Sequence, residues 1–167
     1  RRENFGKRFE DAFGAIADLA AEYSDVDFVY PVHLNPNVKG AAHAILQGKE
    51  NVHLLEPVPY PEIVALMKRS TFILTDSGGI QEEAPSLSKP VLVLRETTER
   101  PEGIESGVAR LVGTNRALIV EEVTRLLTDR QYRDSMTGRT NPYGDGQAAA
   151  RIVRMLRRKL DVATESS

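Results

Sequence analysis

Thr75-Asp76-Ser77-Gly78-Gly79-Ile80-Gln81-Glu82-Glu83, following the apolar run Thr71-Phe72-Ile73-Leu74, reads as a strand, a tight glycine turn and the start of a helix. That order builds a phosphate cradle. Adjacent glycines let backbone N–H groups approach an oxyanion closely, and the first helical turn aims unpaired donors and partial positive charge at the same point. Glu83 stands about one turn into that helix. A carboxylate there would be repelled by a phosphate but could accept hydrogen bonds from ribose hydroxyls. The stretch therefore suggests a nucleoside diphosphate, with base and sugar on opposite sides. The same residues also fit a plain strand-to-helix turn, in which Asp76 and Ser77 are N-cap residues and Glu82-Glu83 complement the helix dipole.

Outward from this stretch, helix and strand patterns alternate along the whole chain, which argues for an α/β fold with a mainly parallel sheet. Strands are expected at residues 28–31, 52–55, 72–75, 91–94 and 110–112, and helices between them near 38–47, 61–69, 80–87 and 101–106. The opening segment carries Phe5, Phe9, Phe13, Ile16, Leu19 and Tyr23 at three- and four-residue spacing, an amphipathic helix whose aromatic stripe reads as core. Residues 117–127 set Leu118, Ile119, Val123, Leu126 and Leu127 against Glu121, Glu122 and Arg125, so this helix should cover one face of the sheet. A final helix follows the turn Asn141-Pro142-Tyr143-Gly144-Asp145-Gly146, with Ile152, Val153, Met155 and Leu156 opposite four arginines that read as a solvated face. The polar tail from Ala163 onward should fray, having too little apolar surface to offset the entropy of ordering.

Composition narrows the class. A length of 167 residues suits one domain with a sizeable core. A formal charge of −2 gives no global electrostatic reason to expect nucleic acid or an anionic membrane surface. No apolar run approaches the roughly 20 residues that span a bilayer, and no signal pattern opens the chain. The absence of cysteine excludes disulfides and thiolate metal sites and fits a cytoplasmic protein. His43 and His53 fall in a helix and a strand candidate without a second ligand at useful spacing, so no metal site is expected.

In an open parallel sheet, ligands bind beyond the carboxyl ends of the strands. Beyond residues 52–55, Glu56-Pro57-Val58-Pro59-Tyr60-Pro61 forms a proline-stiffened loop leading into a helix. Beyond residues 91–94 comes the charged loop Arg95-Glu96-Thr97-Thr98-Glu99-Arg100-Pro101-Glu102. There the Arg100 guanidinium suits bidentate contact with a phosphate or sugar hydroxyl, or an ion pair with Glu96 or Glu99. His33 ends a strand before the turn Asn35-Pro36-Asn37, on the same rim.

The run TDSGGIQEEAPSLSKPVLVLRETTERPE from Thr75 to Glu102 closely resembles the non-hydrolysing UDP-N-acetylglucosamine 2-epimerases. Further pieces fit in order: Arg1-Arg2-Glu3-Asn4-Phe5-Gly6, Tyr30-Pro31-Val32-His33-Leu34-Asn35-Pro36-Asn37-Val38, Arg110-Leu111-Val112-Gly113-Thr114 and Asn141-Pro142-Tyr143-Gly144-Asp145-Gly146. The resemblance runs over roughly residues 1–160. It implies a Rossmann-like parallel sheet with helices on both faces, forming the C-terminal, UDP-binding half of a two-domain GT-B architecture. The final helix, about 147–160, would pack back toward a missing N-terminal domain, and residues 161–167 would be a flexible tail.

By this resemblance, Val58 meets the uracil edge through its backbone and Ile63 lies against the base, where many relatives carry an aromatic residue. Ser77, Gly78, Gly79, Glu83 and Arg100 hold substrate, Arg100 also supporting the transition state, while Arg1 and His33 belong to a site for an activating second substrate molecule. The implied chemistry inverts C2 of UDP-N-acetylglucosamine, giving UDP-N-acetylmannosamine, with no cofactor. A base removes the C2 proton as UDP leaves C1, and UDP adds back to the enzyme-bound 2-acetamidoglucal. The acid and base carboxylates belong to the partner domain, and a histidine precedes the Arg-Arg-Glu-Asn motif in the family, so this chain alone should be inactive. The full-length protein is expected to be a cytoplasmic homodimer serving bacterial surface polysaccharide synthesis. The donor half of a GT-B glycosyltransferase and a non-catalytic nucleotide-sensing module remain the alternatives.

Overall fold

The computed structural model describes the backbone of residues 7–165 and the side-chain environment of residues 9–158. Its centre is a run of three parallel strands, β3 (Ile73–Thr75), β4 (Val91–Val93) and β5 (Ala109–Leu111), in that spatial order. Ile73 pairs with Val91, and Val91 with Ala109. A second parallel pair joins β1 (Phe28–Pro31) to β2 (Val52–Leu55), with Phe28 opposite Val52. The expected parallel sheet is thus laddered in two parts. Packing joins them, since Phe28 of β1 touches both the core around Leu92 and the core around Val38 and Val52.

Strand β4 shows why the fold needs helices on both sides. Val91, Leu92 and Val93 are each fully buried. Because successive side chains point to opposite faces, Leu92 enters one core and its two neighbours enter another. Leu92 meets Ala12, Ala15 and Leu19 of α1 (Lys7–Glu22) and Ile119, Val123 and Leu126 of α6 (Arg116–Thr128). Val91 and Val93 meet Met67 of α3 (Tyr60–Arg69) and Ala84 after α4 (Gly78–Glu83), with Ile104 of α5 (Pro101–Glu105) packed at the margin. Helix α2 (Pro36–Leu46) covers β1 and β2 through Val38, Ala42 and Leu46. The aromatic stripe of α1 is core as expected: Phe9 stacks on Phe13 at 5.8 Å, and Phe13 meets Tyr30 at 5.7 Å with the rings tilted. Phe5 lies outside the described residues.

Most expected elements occur within a residue or two of their sequence bounds. The segment expected as one helix over 80–87 begins earlier, at Gly78, and tightens into a 3₁₀ turn over Ala84–Leu87. Pro85 explains the change, because it has no N–H for the next helical bond. The short helix α7 (Arg130–Ser135) has no counterpart in the hydrophobic pattern. Its cap specifies it instead: Asp129 accepts from Tyr132 N at 2.8 Å, and Arg133 Nη1 donates to the last-turn carbonyl of Leu126 at 2.7 Å. The final helix α8 (Ala148–Glu165) runs on into the segment expected to fray, which contains no glycine or proline to stop it. Its apolar side chains Ile152, Val153, Met155 and Leu156 are all exposed, between 48% and 64%.

Leu92 is the side chain on which α1 and α6 close. Leu92→Ala should destabilise the fold by about 2–5 kcal/mol, the range for a buried leucine truncated to a cavity. Val29→Ala, on the half-exposed face of β1, should change stability by under about 1 kcal/mol. Urea denaturation of the two variants measures the difference.

Candidate functional site

Parallel pairing sends all the post-strand loops of each sheet to one rim, and one hydrogen bond and one close approach link the rims of the two sheets. The Tyr60 hydroxyl, at the start of the helix after β2, donates to Glu83 Oε2 on the helix after β3 at 2.9 Å. Burial pushes the Tyr30 hydroxyl, on β1, up to about 12, and the nearby Asp76 charge beyond β3 adds to the shift.

Between these links lies the glycine pair. Ser77 N donates to Thr75 Oγ1 at 3.0 Å, which turns the chain out of β3, and Ser77 then caps α4 without using its side chain. Both glycines occupy the first turn of α4, and neither has a positive φ. This corrects the expectation of a special glycine turn before the helix: the helix already includes them. A methyl group built on Gly78 would meet nothing nearer than Arg100 Nη2 at 3.9 Å, and one on Gly79 nothing nearer than Glu83 Oε1 at 3.8 Å and Ser77 Oγ at 3.9 Å. Those are ordinary contacts. The chain's own packing therefore does not require glycine, and alanine has the higher helix propensity. What glycine provides is an open backbone surface bordered by Ser77, Glu83 and Arg100.

Arg100 is held from several sides. Its Nε makes an ion pair with Glu82 Oε1, which raises the guanidinium pKa further above its ordinary range. Nη1 donates to the Glu99 carbonyl at 3.1 Å. Neither carboxylate weighed as its partner from sequence is the one it uses. Glu99 instead takes a two-point bond from the buried Arg95, at 2.7 and 3.0 Å, while Glu96 folds toward Gly113, which turns with a φ of +60°. Consecutive side chains on a helix diverge by about 100°, so Glu82 reaches Arg100 while Glu83 reaches Tyr60. Sequence reasoning missed Glu82 and Tyr60 as parts of the site. Their signal was the paired acid at 82–83 with an arginine and a tyrosine on neighbouring loops.

The remaining expected residues are placed less centrally. Val58 is half-buried in the proline loop. Ile63 packs against the core of Met67, Ala84 and Val91 while remaining partly exposed. His33 is exposed and engages its own turn, its Nδ1 accepting from Asn35 N at 3.1 Å. Arg1 lies outside the described residues. His43 meets Gln47 at 3.3 Å and His53 meets Asp27 at 2.8 Å.

Residues 1–157 match the family model described as UDP-N-acetylglucosamine 2-epimerase. The chain belongs to this family. It is 55% identical to UDP-N-acetylglucosamine 2-epimerase of Escherichia coli (strain K12) over 157 residues, covering 94% of this chain and 42% of that protein. The crystal structure of UDP-GlcNAc 2-epimerase from Neisseria meningitidis bound to UDP-GlcNAc matches with a TM-score of 0.90 at 48% identity, over 95% of this chain and 43% of that one. The S. aureus MnaA–UDP structure matches with a TM-score of 0.90 at 46% identity, over 96% and 44%. The epimerase relatives have the GT-B fold, and this chain spans under half their length.

The Tyr60–Glu83 bond has a spectroscopic signature. The Glu83 carboxylate raises the Tyr60 hydroxyl above its ordinary pKa of 10.0. In Glu83→Gln the Tyr60 resonance should titrate closer to that ordinary value, read by NMR of labelled tyrosine. An unchanged midpoint would mean that the bond does not form in solution.

Proposed function

We propose that this chain is the UDP-binding, C-terminal domain of a non-hydrolysing UDP-N-acetylglucosamine 2-epimerase. The observation that carries it is the glycine pair that the chain's own packing does not require, ringed by a hydroxyl, a guanidinium and a carboxylate. Backbone N–H groups of the first α4 turn receive the diphosphate, with Ser77 and Arg100 beside them. Glu83, its Oε2 already taken by Tyr60, keeps Oε1 on the Gly79 side for the ribose hydroxyls. Val58 and Ile63 line the loop that receives the uracil. The relatives solved with UDP-GlcNAc and with UDP support this ligand class.

In the full-length protein the reaction interconverts UDP-N-acetylglucosamine and UDP-N-acetylmannosamine. The C2 proton and UDP are lost together, and UDP re-adds to 2-acetamidoglucal with proton delivery to the other face. Charge develops on the departing diphosphate, so the donors that hold it lower the barrier rather than only the dissociation constant. Acid and base groups come from the other domain. The UDP-binding domain comprises residues 1–160, and the exposed apolar side of α8 packs against the remainder of the longer chain. Arg1 and His33 serve a regulatory site for a second nucleotide-sugar. The whole enzyme works as a cytoplasmic homodimer supplying surface polysaccharide synthesis.

The chain as it stands should bind UDP yet show no C2 deuterium uptake from D2O into UDP-N-acetylglucosamine by NMR; measurable exchange would sink the assignment of proton transfer to the other domain. Glu83→Ala should weaken UDP and uridine binding alike by about 1.5–3 kcal/mol, the range for hydrogen bonds to a charged group. Calorimetry showing unchanged UDP affinity in the folded variant would leave Glu83 with only its structural bond to Tyr60. Gly79→Ala should raise stability by about 0.5–1 kcal/mol while lowering UDP affinity. A variant that loses stability and keeps affinity would count against the cradle.

A further inference from the structure

Gln81 is 1% exposed, the most buried polar side chain at the rim, and the contacts proposed for ligand binding do not use it. Its amide spans the two limbs of the site. Nε2 donates to the Ser77 carbonyl at 3.3 Å, and Oε1 accepts from Thr98 Oγ1 at 2.6 Å. A carbonyl can only accept, which forces the amide nitrogen toward Ser77 and the amide oxygen toward Thr98. The Thr98 hydroxyl proton is then committed to Gln81, and its lone pairs face the other way. There they accept from Arg100 N at 3.1 Å. The opposite end of the same residue is also held, because the Tyr143 hydroxyl donates to the Arg100 carbonyl at 3.2 Å while accepting from Gly103 N at 2.9 Å.

We propose that Gln81 and Thr98 are positioning residues that set the distance between the Arg100 guanidinium and the glycine cradle, a proposal that rests on the diphosphate site inferred above. The chain from Ser77 O through Gln81 and Thr98 to Arg100 N makes one hydrogen-bonded strut between the turn after β3 and the loop after β4. Neither residue touches the ligand. Thr98 acts through the backbone of Arg100, and Gln81 acts through Thr98. The strut is partly buried and ends on the backbone of Arg100, so it sets where Arg100 starts rather than how strongly its tip is attracted. Glu82 restrains that tip separately, from the partly exposed side. The consequence is selective: loss of the strut loosens the grip on the diphosphate and leaves the base and ribose contacts alone.

Thr98→Val removes the hydroxyl with little change of shape. In NMR titrations of the 167-residue chain, this variant should bind UDP about three- to tenfold more weakly, the effect of one neutral hydrogen bond. Its uridine affinity should stay within about twofold of the parent, and Thr98→Ser should restore UDP binding. In an Arg100→Ala background, Thr98→Val should cause no further loss, because two changes acting through one group are not additive. An equal loss for UDP and uridine, or full additivity with Arg100→Ala, would reduce the strut to general stability and overturn the proposal. If Thr98→Val does not fold, Thr98→Ala carries the same comparison. A parent chain that binds no UDP would overturn the function proposed above and this inference with it, whereas a parent that binds and a Thr98→Val variant that binds equally well would overturn this inference alone.

Discussion

Everything at the rim depends on the burial of one three-residue strand. Val91, Leu92 and Val93 have no exposed surface, so apolar layers must lie on both faces of β4. Parallel neighbours with crossover helices meet that requirement, because each crossover returns the chain across a face of the sheet. Parallel strands all end at the same edge. The loops after β3 and β4, carrying Ser77 and Arg100, are therefore neighbours in space although 23 positions separate them in sequence. The apolar pattern of the core, rather than any attraction between polar groups, brings the two limbs together.

Helix geometry then divides the work of two adjacent acids. Glu82 and Glu83 look redundant in sequence but point about 100° apart. One holds Arg100 next to Gly78, and the other, itself beside Gly79, holds Tyr60. Arg100 is consequently a restrained cation rather than a freely swinging one. Its backbone is clasped by Thr98 and Tyr143, and its Nε by Glu82. Such restraint limits the side-chain entropy lost when a long arginine takes up a fixed contact.

Helix α8 is the counterpart of this order. Four apolar side chains over Ile152–Leu156 stand in solvent on a helix whose other side is arginine-rich. Surface helices of globular proteins ordinarily bury such a stripe, and the chain spans 42% of the length of its Escherichia coli relative. Tyr143 and Asn141, in the turn that launches α8, are in turn tied to the site side of the domain through Arg100 and Ser86.

The alternation of helix and strand, the glycine pair with its two acids, and the family are legible in the sequence, because period, breaker residues and a long run of specific motif are local properties of the chain; the turn expected at the glycines is instead the first turn of α4. The sequence also singled out Ser77, Glu83 and Arg100. The partners come from the fold. Glu82 over Glu96 or Glu99 for Arg100, Tyr60 for Glu83, and Gln81 between Ser77 and Thr98 are contacts across strands and loops, with no signature in spacing. Helix α7 escaped the pattern because its cap specifies it, not a hydrophobic stripe. The glycines show the division most clearly. Sequence marks them as unusual, but the space around them shows that the chain's own backbone does not need them, since a methyl group there would make only ordinary contacts with the protein.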